Sequence, residues 1–187
     1  MKPVIIISVM GAHAGEFPKE IFSRKIDDIK KTGKTFWVIS SYKANPTIIQ
    51  KMKKLTYEDV YCVFIEASTK GGARPTTQSK QAVQYSEDKQ NWNSFSKDLT
   101  PVTGNIAKNS HAIVFDELKL SNEKSKINLW DYAEFDNEDE PIFPKQGTST
   151  ICCIKKNMSE SSKKIKSNLR DIIAIGRLDK LGAVWIR

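Results

Sequence analysis

Aromatic and amide side chains come together in a polar part of the chain, residues 68–111, where a binding loop could form. Trp92 lies in the run Q-N-W-N-S at residues 90–94, and no apolar periodicity there requires a tryptophan. Bases of nucleic acids stack on exposed aromatic rings, and asparagine and glutamine side chains can pair with base edges. This pattern predicts that Trp92 contacts a base; the alternative is a loop tryptophan that packs against the core.

A basic segment with two adjacent glycines lies within the same stretch, at residues 70–80. The paired glycines allow backbone N–H groups to approach an anion closely, and Lys70, Arg74 and Lys80 supply positive charge. The spacing is not the G-x-x-x-x-G-K-[ST] of a P-loop. The segment therefore predicts contacts with backbone phosphates, and the alternative is a surface loop that binds nothing.

A second place for chemistry is the turn between Ser8 and Gly15, which follows an apolar run. Ligands of open α/β sheets bind at the carboxyl ends of strands, so His13 could act there as a general acid or base. The glycines of the turn could instead hold a phosphate at the start of the next helix. This pattern supports an alternative function, an α/β enzyme or ligand-binding protein for a nucleotide-like anion. A structural or merely exposed His13 is the simpler interpretation.

An acidic run supplies six carboxylates within residues 131–140, and hard cations such as Mg²⁺ prefer carboxylate oxygens. The run lacks an EF-hand pattern, and clustered acids usually form a solvated loop, so the sequence predicts no metal site and no other cofactor. The same run could pair with a basic protein, which makes a protein-interaction module the third functional alternative. Cys62, Cys152 and Cys153 occur in apolar strand patterns, where thiols behave as small buried hydrophobes.

The charge of the 187-residue chain is unevenly distributed. Thirty basic and 22 acidic side chains give a formal net charge of +8. Residues 1–80 and residues 141–187 each carry +7, whereas residues 81–140 carry −6. A basic surface built from both ends of the chain could attract a polyanion, although a solvated lysine-rich surface would have the same composition.

The length suits one domain, residues 1–187, with a long polar excursion at 68–111 and an acidic loop at 131–145. No stretch approaches the ~20 apolar residues of a membrane helix, and residues 4–10 suit a buried strand better than a secretion signal. We therefore expect a cytoplasmic protein without a membrane partner. Three cysteines without C-x-x-C spacing exclude a disulfide framework and a zinc ribbon.

The apolar pattern also predicts the elements that must position these residues. A helix is expected from Pro18 to Gly33, a second one from Asn45, and a basic helix over residues 160–169. Strands are expected at residues 4–9, 36–40, 60–67, 112–120, 150–155, 172–177 and 183–187, the last two as a hairpin. The predicted fold is an α/β or α+β domain with a mixed sheet and two or three short helices.

The second predicted strand carries a family resemblance. Residues 35–41, T-F-W-V-I-S-S, resemble the opening strand of EVE domains, and residues 36–42 resemble the F-V-I-K-S-Y strand of YTH domains. The stretch E-D-V-Y-C-V-F at residues 58–64 is similar to the EVE pattern of a G-D pair before an aromatic-rich strand. Both families belong to the PUA-like group. The resemblance of residues 35–67 therefore implies a partly open β-barrel whose pocket takes in a modified or flipped base.

Together these patterns favour a non-enzymatic nucleic-acid-binding module that recognises a modified or flipped base, with DNA or RNA as its partner. Two of the expected contact residues, Trp37 and Tyr42, come from the stretch that resembles the PUA-like families, although the apolar flanks of Trp37 also suit a core position. The full set of residues expected to contact the nucleic acid is Trp37, Tyr42, Lys70, Arg74, Lys80 and Trp92.

Overall fold

The computed structural model describes residues 4–13, 15–39, 60–67, 84–94, 110–122, 124–134, 142, 144, 149–154, 168–178 and 184–186. Within these residues the chain forms one α-helix, α1, at Pro18–Thr32, and a short 3-10 helix at Leu129–Asp131. The first six strands are β1 Val4–Met10, β2 Thr35–Ile39, β3 Tyr61–Glu66, β4 Gln84–Ser86, β5 Asn93–Ser94 and β6 Ser110–Leu120. The others are β7 Lys126–Asn128, β8 Tyr132–Glu134, β9 Ser149–Ile154, β10 Leu169–Leu178 and β11 Val184–Ile186.

The first strand is buried on both of its faces. Its residues Ile6 and Ile7 project to opposite sides of the sheet, and both are almost fully buried. β1 pairs in parallel with β3 along one edge and antiparallel with β9 along the other. A strand flanked and covered in this way favours apolar residues on both faces, which explains the β-branched residues at positions 4–7 and 9. The strand predicted at residues 4–9 is confirmed.

Helix α1 begins and ends at local sequence signals. Pro18 occupies the first turn, where a missing N–H costs nothing, and the Glu20 carboxylate accepts a hydrogen bond of 2.7 Å from the N–H of Phe17. At the other end Gly33 has a φ of 82°, and its N–H donates to the carbonyl of Ile29 at 2.7 Å. The helix predicted from Pro18 to Gly33 is confirmed.

All eleven described strands belong to one mixed sheet, which curls into a half-barrel. Among the described strands β1 and β3 pair in parallel, and the other pairs are antiparallel. The main path through the sheet runs β5-β4-β11-β6-β10-β3-β1-β9-β8, with β2 paired to β6 and β7 paired to β10. The prediction of a mixed sheet in an α/β or α+β domain is confirmed at this level.

Two strands share one edge of β6. Phe115 pairs with Thr35 of β2 on one side and with Leu178 of β10 on the other. Ala112 pairs with β2 and with Val184 of β11. Therefore β10 and β11 lie end to end along the edge of β6 that faces away from β2. The predicted hairpin between the last two strands is wrong, because both run in the same direction and both find their antiparallel partner in β6.

The sheet has two apolar faces. Helix α1 packs on the first, which we call the helix-side face; the face opposite to it we call the second face. The cluster on the helix-side face contains Ile6, Met10, Ile21, Phe22, Val60, Cys62, Phe64, Ile113, Phe115, Leu118, Ile173, Ala174 and Leu178. The cluster on the second face contains Ile7, Val9, Val63, Ile65, Ala67, Ile127, Leu129 and Ile142.

Aromatic rings form the centre of the helix-side cluster. The ring of Phe64 lies 4.6 Å from Phe22, 5.2 Å from Trp37 and 5.7 Å from Phe115, measured between centroids. The Phe115 ring also covers the backbone of β10, since a Cβ on Gly176 would lie 2.7 Å from Phe115 Cδ1. Glycine at this position therefore allows the ring to pack directly on the neighbouring strand.

Thr35 is fully buried, and its hydroxyl oxygen has no hydrogen-bond partner in the described structure. A buried hydroxyl without a partner loses its hydration on folding and gains nothing in return. We expect Thr35→Val to leave the free energy of unfolding unchanged or to raise it by about 1 kcal/mol. Urea denaturation of both proteins measures the difference.

Thr32→Val is the matched control for this prediction. The Thr32 hydroxyl lies 3.0 Å from the carbonyl oxygen of Asp28 and 2.7 Å from that of Lys34. The same substitution there should cost about 0.5–1.5 kcal/mol, the net contribution of a typical hydrogen bond. A loss at Thr35 as large as the loss at Thr32 would contradict the interpretation of Thr35.

Part of the helix prediction falls outside the described residues. The helix expected from Asn45 lies there, as do residues 155–167, which include most of the expected basic helix. Leu169, expected at the end of that helix, is instead the first residue of β10. In the described part of the chain, no helix has the length and the apolar character to cross a membrane.

Candidate functional site

One carboxylate organises the loop between β4 and β5, residues 87–92. Asp88 Oδ1 accepts hydrogen bonds from the backbone N–H groups of Gln90 (2.7 Å) and Asn91 (2.8 Å). The same oxygen accepts one from Ser86 Oγ (2.9 Å), and Oδ2 accepts one from the Asn91 side-chain amide (2.8 Å). These bonds, led by those from the Asn91 and Gln90 backbones, hold the pKa of Asp88 well below its usual range. The loop therefore keeps its shape around an ionised carboxylate at neutral pH.

Trp92 is presented at the surface by this loop. Its side chain is partly exposed, and it belongs to neither of the two apolar clusters formed by the described residues. The indole N–H donates to the carbonyl oxygen of Lys89 at 3.2 Å, and Lys89 itself has a φ of 66°. The ring N–H is therefore used within the loop, and this bond helps to hold the indole in position.

The charges around Trp92 do not favour a phosphate. Glu87, Asp88 and Lys89 are all exposed, so the loop carries two negative charges against one positive charge. A phosphate placed there would be repelled, whereas an uncharged planar group would not. A planar group of a ligand could therefore stack on Trp92 if the charged backbone of that ligand is directed away from the loop.

Trp37 lies in the helix-side cluster. Its ring stacks on Phe22 at a centroid distance of 5.8 Å and contacts the edge of Phe64. Two strands, β6 and β11, separate β2 from β4, so the axes of β2 and β4 lie roughly 14 Å apart along the sheet at ~4.8 Å per strand spacing, and Trp92 belongs to neither apolar cluster of the described residues. The structure therefore does not bring Trp37 and Trp92 into one site. The other expected contacts, Tyr42, Lys70, Arg74 and Lys80, lie outside the described residues.

The serine of the Ser8–Gly15 turn is directed into the protein. Ser8 is buried, and its Oγ lies 3.5 Å from the sulfur of Cys62. Burial raises the pKa of the Cys62 thiol to about 12, so the thiol stays protonated at physiological pH. Neither side chain is available as a nucleophile at the surface of the turn.

His13 is exposed on the same turn, and the chain around it is held by a salt bridge. The backbone groups of His13 and Glu16 bond to each other at 2.9 and 3.0 Å. Arg24 of α1 donates to both carboxylate oxygens of Glu16, at 2.9 and 2.7 Å. This hydrogen-bonded pair lowers the pKa of Glu16 and ties the turn to the helix. The charge of Glu16 is thus paired with that of Arg24.

A polar cluster that the sequence pattern does not single out lies on the second face of the sheet. Arg177 of β10 pairs in register with Tyr61 of β3 and with Glu117 of β6. Residues paired in register share a face, so the three side chains form a row across three strands. Asp116 and Lys119 of β6 complete the cluster through ion pairs with Arg177 and Glu117, respectively.

The signal for this cluster in the sequence is weak. Arg177 is the charged residue in an otherwise apolar run, I-I-A-I-G-R-L at residues 172–178, and Tyr61 begins another apolar run. Charged residues also end many ordinary strands, so the pattern alone does not distinguish a site.

Of the acidic run at residues 131–140, the structure describes residues 131–134. Within the described residues, no three histidine, cysteine or acidic side chains group as metal ligands.

The two stretches that carry the PUA-like resemblance meet in the helix-side cluster, through the contact between Trp37 and Phe64. The strands that contain the two stretches, β2 and β3, do not pair with each other, because β2 pairs with β6 and β3 pairs with β1 and β10. The resemblance remains a prediction. Comparisons of the chain with protein-family models, curated sequences and solved structures return no match.

Proposed function

We propose that this protein is a non-enzymatic nucleic-acid-binding module in which a base stacks on Trp92. The observation that carries the proposal is the partly exposed indole ring on a loop already ordered by Asp88. Stacking of one base on an aromatic ring contributes about 1–3 kcal/mol. A ring that is held in position before binding loses little conformational entropy when the base arrives, so more of this energy contributes to affinity.

The charge distribution supports a polyanion as the ligand. The chain has a formal charge of +8, concentrated in residues 1–80 and 141–187. Lysine and arginine side chains in these regions would contact phosphates, and we assign this part to Lys70, Arg74 and Lys80. The acidic neighbours of Trp92 would keep phosphates away from the loop itself. Base stacking and phosphate binding are therefore assigned to different residues.

We also propose that the half-barrel is of the PUA-like kind. The support is the resemblance of residues 35–67 to EVE and YTH strands, together with the packing of Trp37 on Phe64. In this proposal the bound base is a modified or flipped one. Fluorescence competition between oligonucleotides with and without a modified base would test that part separately.

Trp92→Ala is expected to weaken binding of single-stranded oligonucleotides by about 1–3 kcal/mol, since one stacked base is lost. The dependence of log Kd on log salt should stay nearly unchanged, because no phosphate contact is removed. Fluorescence anisotropy titrations at two salt concentrations measure both quantities. The loss should be smaller for duplexes, whose bases already stack on each other.

Trp92→Phe and Arg74→Ala are the controls. Trp92→Phe keeps an aromatic face and should retain most of the affinity, whereas Arg74→Ala should lower the salt slope by about one unit. Both Trp92 variants must melt at the wild-type temperature, because a core tryptophan would destabilise the fold when removed. A sharp drop in melting temperature for Trp92→Ala, or no oligonucleotide binding by the wild type at low salt, would contradict the proposal.

A further inference from the structure

The second face of the sheet carries an exposed aromatic residue beside an exposed aliphatic one. Tyr61 is 40% exposed and Ile175 is 37% exposed, although both belong to strands in the middle of the sheet. Both are neighbours of Val63 in the second-face cluster, since Tyr61 precedes Val63 by two positions on β3 and Ile175 pairs with Val63 across the strands. Thus the apolar face continues into solvent at this end of β3 and β10.

A β-bulge places two carboxylates next to this surface. Arg177 pairs with Glu117, but Leu178 pairs with Phe115, so Asp116 is an extra residue of β6. Asp116 accepts two hydrogen bonds from the Arg177 guanidinium, at 3.0 and 2.7 Å. The guanidinium is therefore fixed in the row that also contains Tyr61.

Glu117 is the carboxylate that keeps acceptor capacity toward solvent. Its partners are Lys119 and, at the longer distance of 3.8 Å, Arg177 Nε. A carboxylate can accept about four hydrogen bonds, so these two partners do not saturate it. The hydrogen bond from Lys119 also holds the pKa of Glu117 below its usual value, and Glu117 stays ionised at neutral pH.

The charges of the cluster balance, with two carboxylates against two cations. An anion gains little from such a surface, because each cation already has a carboxylate partner. An uncharged planar ligand can use what remains: the Tyr61 ring for stacking, and Glu117 as an acceptor for N–H groups at the edge of the ligand. Nucleobases have this combination of a flat face and a hydrogen-bonding edge.

We infer that the Tyr61 surface binds a second base of a single-stranded nucleic acid and that Glu117 selects bases with an exocyclic amino group. This inference rests on the proposed nucleic-acid-binding function. The amino group of cytosine can donate a hydrogen bond to a carboxylate. Uracil has a carbonyl oxygen at the same ring position, and a carboxylate repels it. Tyr61 supplies affinity for either base, and Glu117 supplies the discrimination.

The test compares short homopolymers of cytidine and uridine by fluorescence anisotropy. The wild type is expected to bind the cytidine polymer about tenfold more tightly, in line with hydrogen bonds to a charged acceptor. Tyr61→Ala should weaken binding of both polymers about 5- to 100-fold, and Tyr61→Phe should not. Glu117→Gln should keep binding and remove the preference, because an amide can both donate and accept.

The outcomes separate this inference from the function on which it rests. If Trp92→Ala weakens binding but Tyr61→Ala does not, the proposed function stands and the Tyr61 site is wrong. If Tyr61→Ala weakens binding but Glu117→Gln keeps the preference for cytidine, the assignment of Glu117 is wrong. If the wild type binds neither polymer at low salt, both proposals fail. Melting curves of the three variants should match that of the wild type, since Tyr61 and Glu117 are exposed or nearly so.

Discussion

Replacement of Phe64 by alanine is expected to lower the free energy of unfolding by about 3–5 kcal/mol. Phe64 is fully buried and contacts the rings of Phe22, Trp37 and Phe115, so the removed ring would leave a cavity lined by aromatic side chains. The large cost follows because the surrounding helix and strands can relax only partly into that space. Urea denaturation followed by circular dichroism measures the loss.

Phe17→Ala is the matched control, because Phe17 is 58% exposed. The contact that Phe17 makes with Glu20 uses its backbone N–H, so the substitution leaves it in place. We expect a change within about 0.5 kcal/mol. Since domains of this kind are stable by only about 5–15 kcal/mol, Phe64→Ala could fail to fold. Phe64→Leu then serves as a second variant, with a smaller loss. Equal effects at Phe64 and Phe17 would contradict the proposed core.

Lys25 is expected to make a contribution to the stability of the wild type that rises with pH between about 8 and 10.5. The ammonium group of Lys25 donates to the carbonyl oxygen of Phe36 and lies 5.0 Å from the Phe36 ring and 5.5 Å from the Trp37 ring. Burial and, to a smaller extent, the positive charge of Arg24 lower the pKa of Lys25 from its ordinary 10.5 to about 8. Asp28 and Glu16 oppose this shift without cancelling it.

The sign of the effect follows from proton binding. Between the two pKa values the unfolded chain holds the Lys25 proton and the folded chain has released it, so raising the pH favours the folded state. The full shift corresponds to about 3 kcal/mol. The buried Cys62 thiol acts in the opposite direction above its ordinary pKa of 9.0. The wild-type curve must therefore be compared with that of Lys25→Met, which retains Cys62.

The difference in unfolding free energy between wild type and Lys25→Met isolates the lysine. We expect Lys25→Met to be the more stable protein near neutral pH and the difference to shrink as the pH approaches 10.5, where the lysine is neutral in both states. Lys30→Met, the same substitution at an exposed position of α1, is the matched control. A difference between wild type and Lys25→Met that is independent of pH would show that the pKa of Lys25 is not lowered.

The two candidate binding surfaces differ in what prepares them. On the Trp92 loop, Asp88 organises a single hairpin turn, and the residues involved span seven positions, from Ser86 to Trp92. On the second face, Tyr61, Glu117 and Arg177 are brought together by the pairing of β3, β6 and β10.

Local sequence signals determine several elements by themselves. Pro18 and Gly33 mark the ends of α1 because helix termini depend on the conformations available to single residues. The β-branched run at residues 4–10 determines a strand that is buried on both faces. The amide-rich surroundings of Trp92 likewise indicate a loop, although they leave open whether its ring packs against the core. In each case the physical cause acts within a few residues along the chain.

Tertiary structure alone decides which distant residues become neighbours. The last two strands look like a hairpin in the sequence, but β6 offers each of them a partner, and that competition depends on strands far away along the chain. Trp37 has sequence neighbours that suit either a core or a binding residue, and the structure shows a partly buried ring that packs against the helix-side cluster through Phe22 and Phe64. The row of Tyr61, Arg177 and Glu117 depends on strand register and on one bulge at Asp116. A shift of one residue would move Glu117 to the other face, and no local pattern records that register.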